Sequence, residues 1–117
     1  MKAERTPGPW AATQHNLGGA LRLIGEREAG TQSLREAALA FAAALEHHTR
    51  ERAPQHWAAG QNDRALALLA LGRREQRLAP IEEAVAALRA ALLERRRESA
   101  PLLWARSSAD LAEALLA

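Results

Sequence analysis

The residues closest to a metal-ligand set are His47, His48 and His56, which bracket Pro54. Neighbouring positions on a helix point to different sides, so His47 and His48 cannot both reach one ion. The chain has no cysteine, which removes thiolate ligands and disulfides together. No metal is expected. Glu82 and Glu83 are consecutive carboxylates, and on a helix such a pair cannot face one substrate as acid and base. Ser107 and Ser108 have no nucleophile elbow around them, and neither a glycine-rich phosphate loop nor a His-Glu-x-x-His occurs. The chain is expected to be no enzyme, with no catalytic residue and no cofactor.

What remains chemically is arginine. Of the 16 basic residues 15 are Arg, interleaved with 14 acids, so the net charge is only +2 although the sequence pI is near 10.3. Such interleaving, as in Glu26-Arg27-Glu28 and Arg50-Glu51-Arg52, reads as solvated helix faces laced with ion pairs. An anion-binding patch at Arg73, Arg74, Arg77 and Arg95 to Arg97 would need those side chains to converge.

The elements that position these groups follow from composition and spacing. At 117 residues, 48% of them apolar, the chain can bury one core, and its scarcity of β-branched apolar residues argues against a sheet. No apolar run approaches a membrane span, and the first residues lack the core of a signal peptide. A cytoplasmic protein with no membrane partner is expected. Pro7, Trp10 and Ala11 return as Pro54, Trp57 and Ala58 and again as Pro101, Trp104 and Ala105, at a constant step of 47 residues. A tripled motif at fixed spacing marks a repeat protein. The units run over about 7–53, 54–100 and 101–117, within one domain of 1–117.

Each unit divides into helices. Thr6 before Pro7 reads as an N-cap, and Trp10, Leu17, Leu21 and Ile24 form an apolar stripe that Gly25 closes as a left-handed cap. Ser33 and Glu36 have capping-box spacing. They open a second helix carrying Leu34, Ala37, Ala38, Phe41, Ala44, Leu45 and His48, which the spacing extends to about Arg52. Pro54 restarts the cycle, with Trp57, Leu68 and Leu71 on the stripe and Gly72 as its cap, but with Arg64 where Leu17 stood. A guanidinium there must snorkel out or meet a carboxylate. Leu78, Ile81, Val85, Leu88 and Leu92 mark a fourth helix, with Pro80 in its first turn. Pro101 opens a fifth with Trp104, Leu111 and Leu115. The three tryptophans, in identical phase, are expected to be buried anchors between helices, and Pro54, Pro101, Gly25 and Gly72 to be structural.

Asn16, Leu17, Gly18, Ala20 and Leu21, followed by Gly25, Ala37, Phe41, Ala44, Leu45 and Pro54, resemble the tetratricopeptide repeat signature in order and helix phase. The usual unit is about 34 residues. Gln14, Gln61 and Ser108 also stand where the short unit carries its tryptophan, so the chain is similar to a long-unit bacterial variant of that family. The resemblance implies an all-α, right-handed superhelix of antiparallel helix pairs, about five helices in all. It further implies a scaffold that binds a peptide or helical segment of another protein in a concave groove lined by the first helix of each unit.

Groove positions would fall on Ala12, His15, Gly19 and Arg22, then on Ala59, Asn62, Leu66 and Leu69, then on Arg106, Ala109, Glu113 and Leu116. Their donors and small residues suit an extended partner of some acidic character. A self-associating structural module is the alternative, either a homodimer or part of a longer array. Leu102, Leu103, Leu115 and Leu116 would then form the contact unless the fifth helix folds back as a cap. An arginine-based anion or nucleic-acid binder ranks below both, and nucleic acid is not the expected partner.

Overall fold

The computed structural model describes residues 7–117. Five helices follow one another: α1 (Pro7–Arg27), α2 (Gln32–Leu45), α3 (Pro54–Glu75), α4 (Leu78–Leu92) and α5 (Pro101–Leu115). No strand occurs among the described residues. Short connections fold α1 onto α2 and α3 onto α4, while α2 packs on α3 and α4 on α5. α1 and α5 each touch α3 more lightly. The result measures 40 × 36 × 20 Å, about two helix diameters thick.

The core is built from alanine, with few large side chains: Leu34, Phe41, Leu68, Leu69, Leu71 and Leu88 are the large apolar residues that are buried. Small residues let helix backbones approach, and glycines supply the closest approaches. A Cβ on Gly18 would stand 2.8 Å from the Phe41 ring, one on Gly25 2.8 Å from Leu34, and one on Gly72 2.6 Å from Ile81. Gly25 and Gly72 lie 47 residues apart, as do Leu34 and Ile81, so both units use the same hole and the same knob.

This overturns the expectation that Gly25 and Gly72 end their helices as left-handed caps. α1 continues to Arg27 and α3 to Glu75, no described glycine has positive φ, and the left-handed residue is Gln76 at φ 52°. These glycines are required by space, not by backbone conformation.

Other expectations need correction too. α2 ends at Leu45 and not near Arg52; the chain turns after it, and Arg50 comes to lie over the Trp57 ring, 5.5 Å from its centroid. Arg97 lies over Trp104 at the same distance. The two turns share their geometry: Ala53 (φ −148°, ψ 71°) and Ala100 (φ −144°, ψ 65°) accept the amides of Trp57 and Trp104 at 2.8 Å. The capping box does not form. α2 opens at Gln32 after Thr31, the Ser33 hydroxyl donates to Glu28, and Glu36 accepts from Gln32 instead. The Thr6 cap lies outside the described residues.

Leu17 and Ile24 are exposed, since α1 turns Ala11, Gly18 and Gly25 toward its neighbours. Leu78 is exposed as well. The tryptophans are half-buried lids on the interhelical turns, not fully buried anchors, with Trp10 meeting His47 edge-on at 5.1 Å. Arg64, expected either to snorkel out or to meet a carboxylate, is half-buried and meets Glu83 at 3.2 Å. α5 turns Ala114 into the core and leaves Leu102 and Leu116 exposed.

Glycine holes and open glycines should respond oppositely to alanine. Gly72→Ala is expected to destabilise by about 1–3 kcal/mol, since Ile81 and the Arg77 carbonyl crowd the new methyl. Gly19 has open space around it, so Gly19→Ala should stabilise by roughly 0.5–1 kcal/mol through helix propensity. Urea unfolding of both variants checks the pair.

Candidate functional site

Two clefts lie along the first helix of each unit. One, of ≈ 200 Å³, is lined by Ala12, His15, Asn16, His48, His56 and Ala59. The other, of ≈ 260 Å³, is lined by Gln55, His56, Ala59, Arg95 and Leu103. They share His56 and Ala59, so they join into one trough. Ala12 and Ala59, His48 and Arg95, and His56 and Leu103 are each 47 residues apart, so the second cleft reuses the plan of the first.

The trough is rich in donors, and no carboxylate lines it. His15 reaches Asp63 at 2.9 Å. His48 is 8% exposed and stacks at a tilt on His56, ring centroids 4.8 Å apart. Burial pushes the His48 imidazole below its ordinary pKa, and His56, His15 and His47 push it further the same way.

Below the trough floor lies a buried polar junction. Ser107 donates to Asn62 Oδ1 at 2.6 Å, Asn62 Nδ2 donates to Asp110 at 3.2 Å, and Arg95 Nη1 donates to the Ser107 hydroxyl at 3.1 Å. These bonds tie α3 to α5, and the α4–α5 connection to α5. Burial disfavours the charged form of Arg95, while Asp63 supports the charge, Arg106 opposes it and Asp110 supports it.

The positions expected in a groove divide three ways. Ala12, His15 and Ala59 line the trough. Gly19 is half-buried, as are Leu66 and Arg22, the last bonded to Glu26 at 2.6 Å. Asn62 is buried as an interhelical tie and Leu69 lies in the core, so neither is open to a ligand. Arg106, Ala109 and Leu116 are exposed, and Glu113 pairs with Arg73 at 2.7 Å.

The arginine patch, the lesser alternative to ion-paired helix faces, does not form. Arg73 pairs with Glu113 and Arg77 with Glu75 at 3.0 Å, while Arg97 covers Trp104. Arg74 donates to the carbonyls of Gly25, Glu26 and Gly30, satisfying the open end of α1 from the next unit.

His48, His56, Gln55 and Arg95 were not among the expected groove positions: His48 and His56 had been weighed only as metal ligands, and Arg95 only as part of an arginine patch. The available signal was that His48 and Arg95 are both basic and exactly one unit apart on the side of the chain that turns inward.

No described helix is long and apolar enough to cross a membrane. The chain matches no protein-family model, no curated protein and no solved structure.

The His48 environment sets a pH dependence. Because its folded pKa is depressed, the unfolded chain binds the proton first as pH falls, so this group's contribution is complete above about pH 6.5 and is lost below it. Thermal melts from pH 7.5 to 5 should therefore show a declining Tm, with a shallower decline in His48→Gln.

Proposed function

We propose that this chain is a protein-interaction module that binds an extended, acidic segment of another protein along the trough beside α1, α3 and α5. The observation that carries this reading is a pair of adjoining clefts that share His56 and Ala59, both lined by His, Asn, Gln or Arg donors and neither lined by a carboxylate. An extended peptide presents groups at regular intervals, which suits two clefts that each hold a nitrogen-bearing side chain at the same place in the unit, His48 in one and Arg95 in the other. In this reading the helix pairs stack as a right-handed superhelix of tetratricopeptide type and the trough is its concave side. The motif resemblance and the shared turn geometry at Ala53 and Ala100 support that arrangement.

The charge balance favours an acidic partner over a basic one. Arg95 is largely buried at the trough, and a negative group brought near it gains more than one brought to a fully solvated arginine. Alanines at positions 12 and 59 keep the floor low enough for a backbone to lie on it.

Selection of peptides from a random 12-residue display library, followed by fluorescence anisotropy, tests this. Enriched peptides should carry Asp or Glu. Ala59→Glu, which adds bulk and like charge where the clefts join, should weaken their binding at least tenfold while the circular dichroism spectrum and Tm stay unchanged. Enrichment of peptides without acids, or wild-type binding by a folded Ala59→Glu protein, would contradict the proposal.

A further inference from the structure

Arg95 is the one arginine of the described residues classed as buried, 7% exposed, and it forms no ion pair there. A guanidinium has five N–H donors. Here one of them reaches a partner, the neutral Ser107 hydroxyl, and the Nε atom is buried without any. Arg50, Arg73, Arg74, Arg77 and Arg97, by contrast, have each found a carboxylate, a carbonyl or a ring. Arg50 sits one unit-to-unit contact away and holds Glu94 at 2.6 Å. A buried charge without its counter-charge is among the more costly arrangements a small helical protein can keep.

The same side chain lines the ≈ 260 Å³ cleft beside Gln55, His56, Ala59 and Leu103. Asp63 supports the Arg95 charge, Arg106 opposes it and Asp110 supports it, but neither carboxylate bonds to the guanidinium. Asp110 is engaged by Asn62. The equivalent position one unit earlier is His48, likewise buried and likewise at a cleft. A nitrogen base at this depth is thus a property of the unit and not an accident of one site.

We propose that Arg95, with Gln55 and His56 beside it, is a socket for a single side-chain carboxylate, an Asp or Glu of the bound segment. The proposal rests on the trough being a peptide site, and it names the chemistry that the trough reads at this point. The guanidinium gives the carboxylate charge-assisted hydrogen bonds, the Gln55 amide is a further donor at the rim, and Leu103 bounds the cleft with an apolar wall. The companion socket at His48 carries a full charge only once protonated, so the Arg95 socket is the permanent one of the two.

The experiment uses blocked glutamate (acetylated, with an α-methylamide) as probe, with blocked glutamine and inorganic phosphate as comparisons. Arg95 Nε–H is followed by ¹⁵N NMR on the wild-type protein, so no variant has to fold for binding to be seen. Blocked glutamate should shift that resonance saturably in the millimolar range and raise Tm, and blocked glutamine should do neither. Arg95→Leu should fold with a Tm equal to or above wild type, show no ligand-dependent rise, and bind the selected acidic peptides at least tenfold more weakly. Phosphate binding without glutamate binding would overturn the carboxylate assignment, as would an unmoved Arg95 resonance. A markedly lower Tm for Arg95→Leu together with unchanged peptide affinity would make the guanidinium a structural tie. If Ala59→Glu abolishes peptide binding while Arg95→Leu does not, the trough stands and the socket falls. If glutamate binds at Arg95 but no peptide is ever selected, the reverse holds.

Discussion

Everything in this molecule depends on how closely its helix backbones approach. With eleven alanines among the seventeen buried apolar residues of the described chain, the core has little bulk with which to hold helices apart. Stability then has to come from contact along the helices, where each missing Cβ admits a side chain from the facing element. Gly18 receives Phe41, Gly25 receives Leu34, Gly60 receives Leu45 and Gly72 receives Ile81. One further pair shows the rule by compensation. One unit after Gly18 and Phe41 stand Ala65 and Leu88, a smaller hole with a smaller knob, and both lie in the same buried cluster. Volume is conserved across the contact while the residues change.

Helix termini complete the register. Arg74 caps the carbonyl end of α1 from the following unit, and Glu75 accepts from Arg77 at 3.0 Å, from Thr31 at 3.2 Å and from Arg35. The Arg77 hydrogen bond is the largest reason the Glu75 carboxyl is held below the usual range, with Thr31 and Arg35 adding to it against a smaller opposing effect of burial. At the opposite end of the slab the turns before α3 and α5 repeat one another in dihedrals, amide bonds and arginine–tryptophan stacking. That repetition fixes where residues 48 and 95 emerge, so the trough's two basic positions are a consequence of the turn and not of the helices alone.

Five helices and the openings at Pro7, Pro54 and Pro101 were legible in the sequence because proline, tryptophan and alanine recur in phase. Helix ends were not. Glycine at the end of an apolar stripe signals either a left-handed cap or a close approach, and the two differ only in what faces the glycine across the pair. Leu34 and Ile81 face these two, and tertiary contact is invisible to a one-dimensional reading. Leu17 and Ile24 failed for a related reason: in a core of small residues the buried face is marked by Ala11, Gly18 and Gly25, and a hydrophobic stripe sought by size selects the wrong side of α1. Of the trough, the alanines and His15 were foreseen. Arg95 was read only as part of an arginine patch and His48 only as a stripe residue and a rejected metal ligand, and only the 47-residue correspondence of the two could have placed them at equivalent clefts.

The central claim is that matched knobs and holes, set by the repeat, hold the helices in register. Its most direct test transplants the second unit's pair into the first: Gly18→Ala, Phe41→Leu and the double variant, each followed by urea unfolding. Gly18→Ala should cost about 1–3 kcal/mol by crowding the Phe41 ring, and Phe41→Leu about 1 kcal/mol or more by leaving a void. Together they should recover at least about 1 kcal/mol of the summed loss, because the smaller knob then fits the smaller hole. Losses that simply add, to within roughly 0.5 kcal/mol, would show that the two residues do not share a contact that matters and would contradict the account.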